Sequence, residues 1–122
     1  MVNSWQDLEV YKNVRKLQFA IFLASKNFPK EELYSLTDQV RRSSRSIGAN
    51  IAEAWAKRRF PKHFQSKLSD SDAELQETIH WLSTALECQY INLENAEELK
   101  NQALVIGRQL GSMINQHEKF CY

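Results

Sequence analysis

The sequence predicts an all-α fold, an antiparallel up-down four-helix bundle in a single domain over residues 1–122. Three observations carry this expectation. Only three Gly and two Pro occur, too few for a strand-and-turn fold and compatible with long helices. Apolar residues recur three and four apart in four separate runs, the period of an amphipathic helix. The connections between runs are short, so consecutive helices run antiparallel. A chain of this length can enclose a real core.

The first helix is expected over residues 7–27, with Val10, Val14, Leu17, Ile21 and Ala24 as its core stripe. Tyr11, Phe19 and Phe22 lie off that stripe, as either a broad buried face or an apolar patch in need of a partner. Phe28-Pro29 ends the helix, because the residue before Pro avoids the helical region. Residues 30–34 form a connector. Ser35 with Asp38 three residues on reads as a capped start to the second helix, 35–57. Leu36, Val40, Ile47, Ile51 and Ala54 make its core stripe, while Arg41, Arg45, Ala49, Ala52 and Ala56 lie roughly opposite. Small residues there suit close packing of another helix or subunit. Gly48 marks a bend or a close contact, at about 1 kcal/mol relative to Ala.

Pro61 suits the first turn of a third helix over 61–89. Its core stripe is Phe64, Leu68, Ser71, Leu75, Thr78, Ile79, Leu82 and Leu86. Asp70, Glu74, Glu77, Trp81 and Cys88 fall on the opposite face, an acidic stripe ending in an aromatic. Asn92 caps the fourth helix, 93–118, whose core stripe is Leu99, Ala103, Ile106, Leu110, Met113, Ile114 and His117. Gly107 and Gly111 share its flank, where close packing is the expected reason for them. Residues 118–122 are expected to fray.

The net charge of +1 hides a split. Residues 40–67 hold eight Lys or Arg and one acid, and residues 68–99 hold eight acids and no Lys or Arg. Basic and acidic segments can pair within or between subunits, or the basic segment can meet phosphates. The end of the second helix, Lys57, Arg58 and Arg59, is either a solvated helix terminus or a basic patch with Lys62 and Arg42. Phe60 and His63 interleave with it and could stack on a base. No recognition-helix motif accompanies it.

Catalysis finds no support. A di-metal bundle site needs two inward Glu-x-x-His motifs and two further Glu; Glu77 to His80 supplies one copy, and Glu77 points off the core stripe. His63, His80 and His117 lie on different faces or helices, and the glycines are isolated, so no phosphate-cradling loop exists. No catalytic residue, metal site or cofactor is expected. No apolar run approaches the roughly 18–20 residues of a membrane span. With no secretory pattern and two unpaired cysteines, Cys88 and Cys121, the expected place is the reducing cytoplasm, with no membrane partner.

Several blocks carry a family resemblance. They are Trp5 to Tyr11 (WQDLEVY), Phe28 to Thr37 (FPKEELYSLT), Gln39 to Ser43 (QVRRS), and most specifically Ser46 to Ala54 (SIGANIAEA). Glu77 to Leu82 and Cys88 to Ile91 complete the set. Over about residues 4–115 the chain resembles the bacterial four-helix-bundle family encoded in intervening sequences of 23S ribosomal RNA genes. It is also similar to the accessory protein of diversity-generating retroelements. The resemblance implies a homo-oligomeric ring, typically a pentamer, with RNA or DNA as a partner inferred from strongly basic retroelement relatives. This chain is close to neutral, which departs from that pattern. Gly48 stands where many relatives have Pro, and Ala54 where many have Gly. The expected function is therefore non-enzymatic assembly, with sequence-tolerant nucleic-acid binding as the alternative.

Overall fold

A computed structural model describes residues 2–122. Four helices make the body: α1 (Glu9–Ser25), α2 (Leu36–Ala56), α3 (Pro61–Glu87) and α4 (Leu93–Asn115). Neighbours contact in opposite sequence order, which makes each pair antiparallel. Gly48 of α2 meets Tyr11 and Val14 of α1, while Arg41 meets Ser25. Ile47 and Ser43 of α2 meet Ser71 and Thr78 of α3. Gln109 of α4 meets Asn13 of α1 and closes the bundle.

The core follows the apolar stripes. Leu17, Ile47, Phe64, Leu68, Ile106 and Leu110 are fully buried. Truncating the largest of these, Phe64, would cost about 3–5 kcal/mol by lost transfer and cavity formation. Three hydroxyls join α2 to α3 inside this core. Ser71 Oγ donates to the Ile47 carbonyl at 2.8 Å. The Thr78 hydroxyl lies 2.8 Å from the Glu74 carbonyl and 2.9 Å from Ser43 Oγ. Burial without such partners would be costly, so these contacts account for polar residues at core positions.

The helix ends differ from the expected bounds, each for a local reason. Before α1 the chain makes a 3₁₀ turn, Trp5–Asp7, capped by Ser4. The Asp7 carboxylate accepts from the Ser4 N–H, and Leu8 is extended, so α1 starts at Glu9. Ser35 makes no side-chain cap; the Glu32 carboxylate, from the turn Lys30–Glu32, accepts from the Leu36 N–H instead. α3 ends at Glu87 because Gln89 takes φ 63° and the Tyr90 N–H donates to the Ala85 carbonyl. Asn92 does cap α4, accepting from the Asn95 N–H at 2.8 Å.

α4 stops at Asn115, and residues 118–122 do not fray. Glu118 and Lys119 lie in the turn His117–Lys119, and Phe120 just after it stacks on buried Phe64 at 6.1 Å. His117 is half-buried, not core, with Nδ1 2.9 Å from Gln65 Nε2. Gly48 is a close contact: a Cβ there would lie 3.3 Å from Tyr11 Cε1. Gly107 approaches Leu75 in the same way, but nothing packs within 4 Å of a Cβ at Gly111.

Candidate assembly and nucleic-acid surfaces

α2 presents Arg41 and Arg45 to α1 and Arg42 to α3. The step of about 100° per residue puts Ser43, Ile47 and Ala54 toward the core and α3, and Arg41 and Arg45 over the outer edge of α1. Arg41 Nε donates to Ser25 Oγ at 2.8 Å, and Ser25 Oγ donates to the Phe22 carbonyl at 2.9 Å. The Arg41 guanidinium lies 4.9 Å from the Phe22 ring centroid, with Arg45 at 6.0 Å and the Lys26 ammonium at 4.8 Å. Three cations thus surround one ring, held by its quadrupole. Ala49 and Ala56 are exposed and Ala52 is half-buried, so no helix of the same protomer covers the alanine seam.

The acidic stripe lies elsewhere. Asp70 and Glu77 are exposed on α3, and Glu74 is half-buried. Burial, then the nearby Glu77, raises the Glu74 carboxyl above its ordinary value, with Arg42 opposing the rise. Trp81 is half-buried against the core, where Nε1 donates to Glu77 Oε1 at 3.2 Å and His80 packs edge-on at 4.8 Å. Inside one protomer, therefore, Arg41 and Arg45 do not meet Asp70, Glu74 or Glu77. Of the α2 arginines, Arg42 is the one whose charge reaches this stripe.

Lys67 links the two helices instead. Its ammonium lies 2.7 Å from Glu53, 3.7 Å from Asp70 and 3.4 Å from Asn50 Oδ1. The Glu53 hydrogen bond raises Lys67, and the same bond lowers Glu53. This bridge was not apparent from the charge runs, although Glu53 and Lys67 lie on facing flanks once α2 and α3 are paired.

The basic residues after α2 differ in how they are held. Arg58 is engaged. Its guanidinium lies 3.8 Å from the Trp55 ring and 5.2 Å from Tyr122, and Nε donates to the Trp55 carbonyl at 2.9 Å. Of Lys57, Arg58 and Arg59, Arg58 is thus the one held in place by its neighbours, through Nε and the ring faces. Lys57, Arg59 and Lys62 are exposed, with Phe60 56% exposed beside them and His63 edge-on to it at 5.8 Å. Arg42 is exposed but sits beside the α3 acids, away from this group.

The aromatics of α1 divide similarly. Tyr11 packs edge-on against Trp5 at 4.7 Å, Phe22 carries the cations, and Phe19 stays 61% exposed. A contact not foreseen from the sequence joins two connections: Tyr90 donates its hydroxyl to Glu32 at 2.8 Å. That bond, with the Leu36 N–H, lowers Glu32, and it pushes Tyr90 up to about 12. Among the described residues no group of three or more His, Cys, Asp or Glu is placed to hold a metal ion. No helix among them is long and apolar enough to cross a membrane.

No curated protein matches the chain. Among solved structures, it is similar to a protein of unknown function from the S23 ribosomal protein family of Bacteroides thetaiotaomicron. The two share 29% identity at a TM-score of 0.78, covering 86% of this chain and 97% of the other. The family model described as 23S rRNA-intervening sequence protein matches residues 6–112. On that match, supported by the helical fold, the chain belongs to the 23S rRNA-intervening sequence protein family.

Proposed function

We propose that the chain is a non-enzymatic assembly module of the cytoplasm whose protomers join head to tail. The Arg41, Arg45, Ala49, Ala52 and Ala56 flank of one copy meets the Asp70, Glu74, Glu77 and Trp81 flank of the next. One observation carries this reading: two surfaces of opposite charge sit on different flanks of the same protomer and do not meet within it. Complementary but non-identical patches make a heterologous contact, which closes into a ring when the rotation permits. The resemblance to ring-forming relatives favours closure, with five copies as the expected number. Arg45→Glu puts a carboxylate against the acidic stripe and dissociates the ring, seen as a fall in light-scattering mass. An unchanged mass would assign assembly to other contacts.

A second reading rests on a different observation, the exposed Phe60 among exposed Lys57, Arg59 and Lys62. Three cations around a stackable ring suit sequence-tolerant RNA or DNA binding. Affinity would fall with salt, by about 0.9 in log–log slope for each duplex phosphate neutralised. Fluorescence anisotropy at about 50 mM salt tests it, where electrostatic binding is strongest. No binding there rejects the reading, and Lys62→Glu should abolish any binding that occurs.

A further inference from the structure

The α1–α2 connection builds a surface cleft of about 400 Å³. Lys26, Lys30 and Arg41 border it, and Phe28, Pro29 and Leu33 give it an apolar wall. The buried residues Ser25 and Thr37 also line it. This volume lies within the range of small-molecule sites, roughly 300–1,000 Å³.

Three features separate the cleft from an ordinary solvated charge run. Arg41 is pre-organised, because Ser25 holds its Nε and the Phe22 ring covers one face. Among the described residues the Nε bond is the only hydrogen bond its guanidinium makes, so the terminal N–H groups are free to form a fork. Lys26 is held over the same ring. The cations also lack counter-charges. The ion pairs among the described residues involve Lys12, Lys67 and His117, and none involves Lys26, Lys30 or Arg41. Glu32, the acid facing this connection from within, is turned toward Tyr90 and Leu36. Glu31 and Asp38 are exposed and form no ion pair among the described residues.

We propose that this cleft binds a small phosphomonoester whose dianion is held by Arg41, Lys26 and Lys30 and whose apolar body lies against Phe28, Pro29 and Leu33. Three unpaired cations favour a dianion over a monocarboxylate, and a guanidinium fork matches two phosphoryl oxygens. The cleft is fixed by the fold of one protomer, and where the assembly proposed above sets Arg41 against a neighbouring copy, the phosphate and that copy's carboxylates compete for it.

Calorimetric titration of the whole chain with phenyl phosphate, inorganic phosphate and benzoate tests it. Phenyl phosphate should bind at least about tenfold more tightly than either of the others, since inorganic phosphate lacks the apolar body and benzoate brings a single charge to the three cations. Arg41→Gln should weaken that binding by about tenfold or more, as expected when a charge-assisted hydrogen bond is lost. Lys30→Gln, at an exposed position with no structural partner among the described residues, should weaken it in the same direction without disturbing the fold. Leu33→Asp should remove the preference for phenyl phosphate over inorganic phosphate. Lys62→Gln, in the first turn of α3, should change nothing. The proposal is overturned if no heat is seen up to about 10 mM phenyl phosphate, which leaves less than about 3 kcal/mol of binding free energy. It is equally overturned if Lys30→Gln and Arg41→Gln bind as the natural chain does, or if Lys62→Gln weakens binding as much as they do.

Discussion

Gln89 holds the left-handed conformation that ends α3, a conformation costing a residue with a Cβ about 1–2 kcal/mol relative to Gly. Gln89→Gly should therefore raise stability by about 1 kcal/mol, read as a higher urea midpoint at unchanged slope. Gly111 and Gly48 should behave oppositely to each other. Nothing packs near Gly111, so Gly111→Ala should gain about 0.5–1 kcal/mol of helix propensity. At Gly48 a new methyl would meet Tyr11 at 3.3 Å, and Gly48→Ala should lose that gain to crowding. The sequence makes Gly48 legible as a contact but not Gly111, because spacing shows that two glycines share a flank and not whether a neighbour fills it. Arg58 shows the same limit. Its charge is visible in the chain, whereas Trp55 and Tyr122, which engage it, lie at very different separations from it in sequence.

The helices themselves are where sequence reasoning reaches furthest. Their apolar period predicts the buried faces, from Val10, Val14 and Leu17 to Ile106 and Leu110, because burial is set by repeated local geometry. Their ends are less legible, since a cap is a competition among nearby acceptors. Ser35 and Asp38 have the right spacing for a capping box, yet the Glu32 carboxylate reaches the Leu36 N–H first. Glu32 is free to do so because Tyr90 holds it from the α3–α4 connection. This clamp has a pH signature. Glu32 is lowered, so its contribution is present above the ordinary 4.5 and lost as the pH falls through its folded value. Tyr90 is raised, so its contribution is present below the ordinary 10 and lost as the pH rises from 10 to about 12. Melting temperatures followed from pH 9 to 12 should fall more steeply in the natural chain than in Tyr90→Phe, the range being set by the shifted tyrosine. Parallel curves would show that the clamp adds nothing.

Across the whole molecule the sequence separates its charges into consecutive runs, and the fold turns that order into opposed flanks. Among the described residues the two runs touch at Lys67 with Asp70 and at Arg42 near Glu74, while the Lys67–Glu53 pair lies inside the basic run. The larger part of both remains unpaired, a disposition that a charge count cannot reveal. If an arginine of a second copy covers Glu74, it lowers a carboxyl that burial and Glu77 raise in the single protomer. Assembly should then be strongest above the raised value and weaken as the pH falls through it. It should also weaken with salt wherever the pairs stay exposed to solvent. These dependences share a sign with the charge reversal at Arg45 but not a mechanism, so agreement between them would be informative.

The most direct measurement is the light-scattering mass of the natural chain and of Arg45→Glu at the same micromolar concentration. The head-to-tail account predicts a multiple of the 14.3 kDa protomer for the first and a shift toward the single protomer for the second. A natural chain of 14.3 kDa, or an Arg45→Glu variant of undiminished mass, would contradict it.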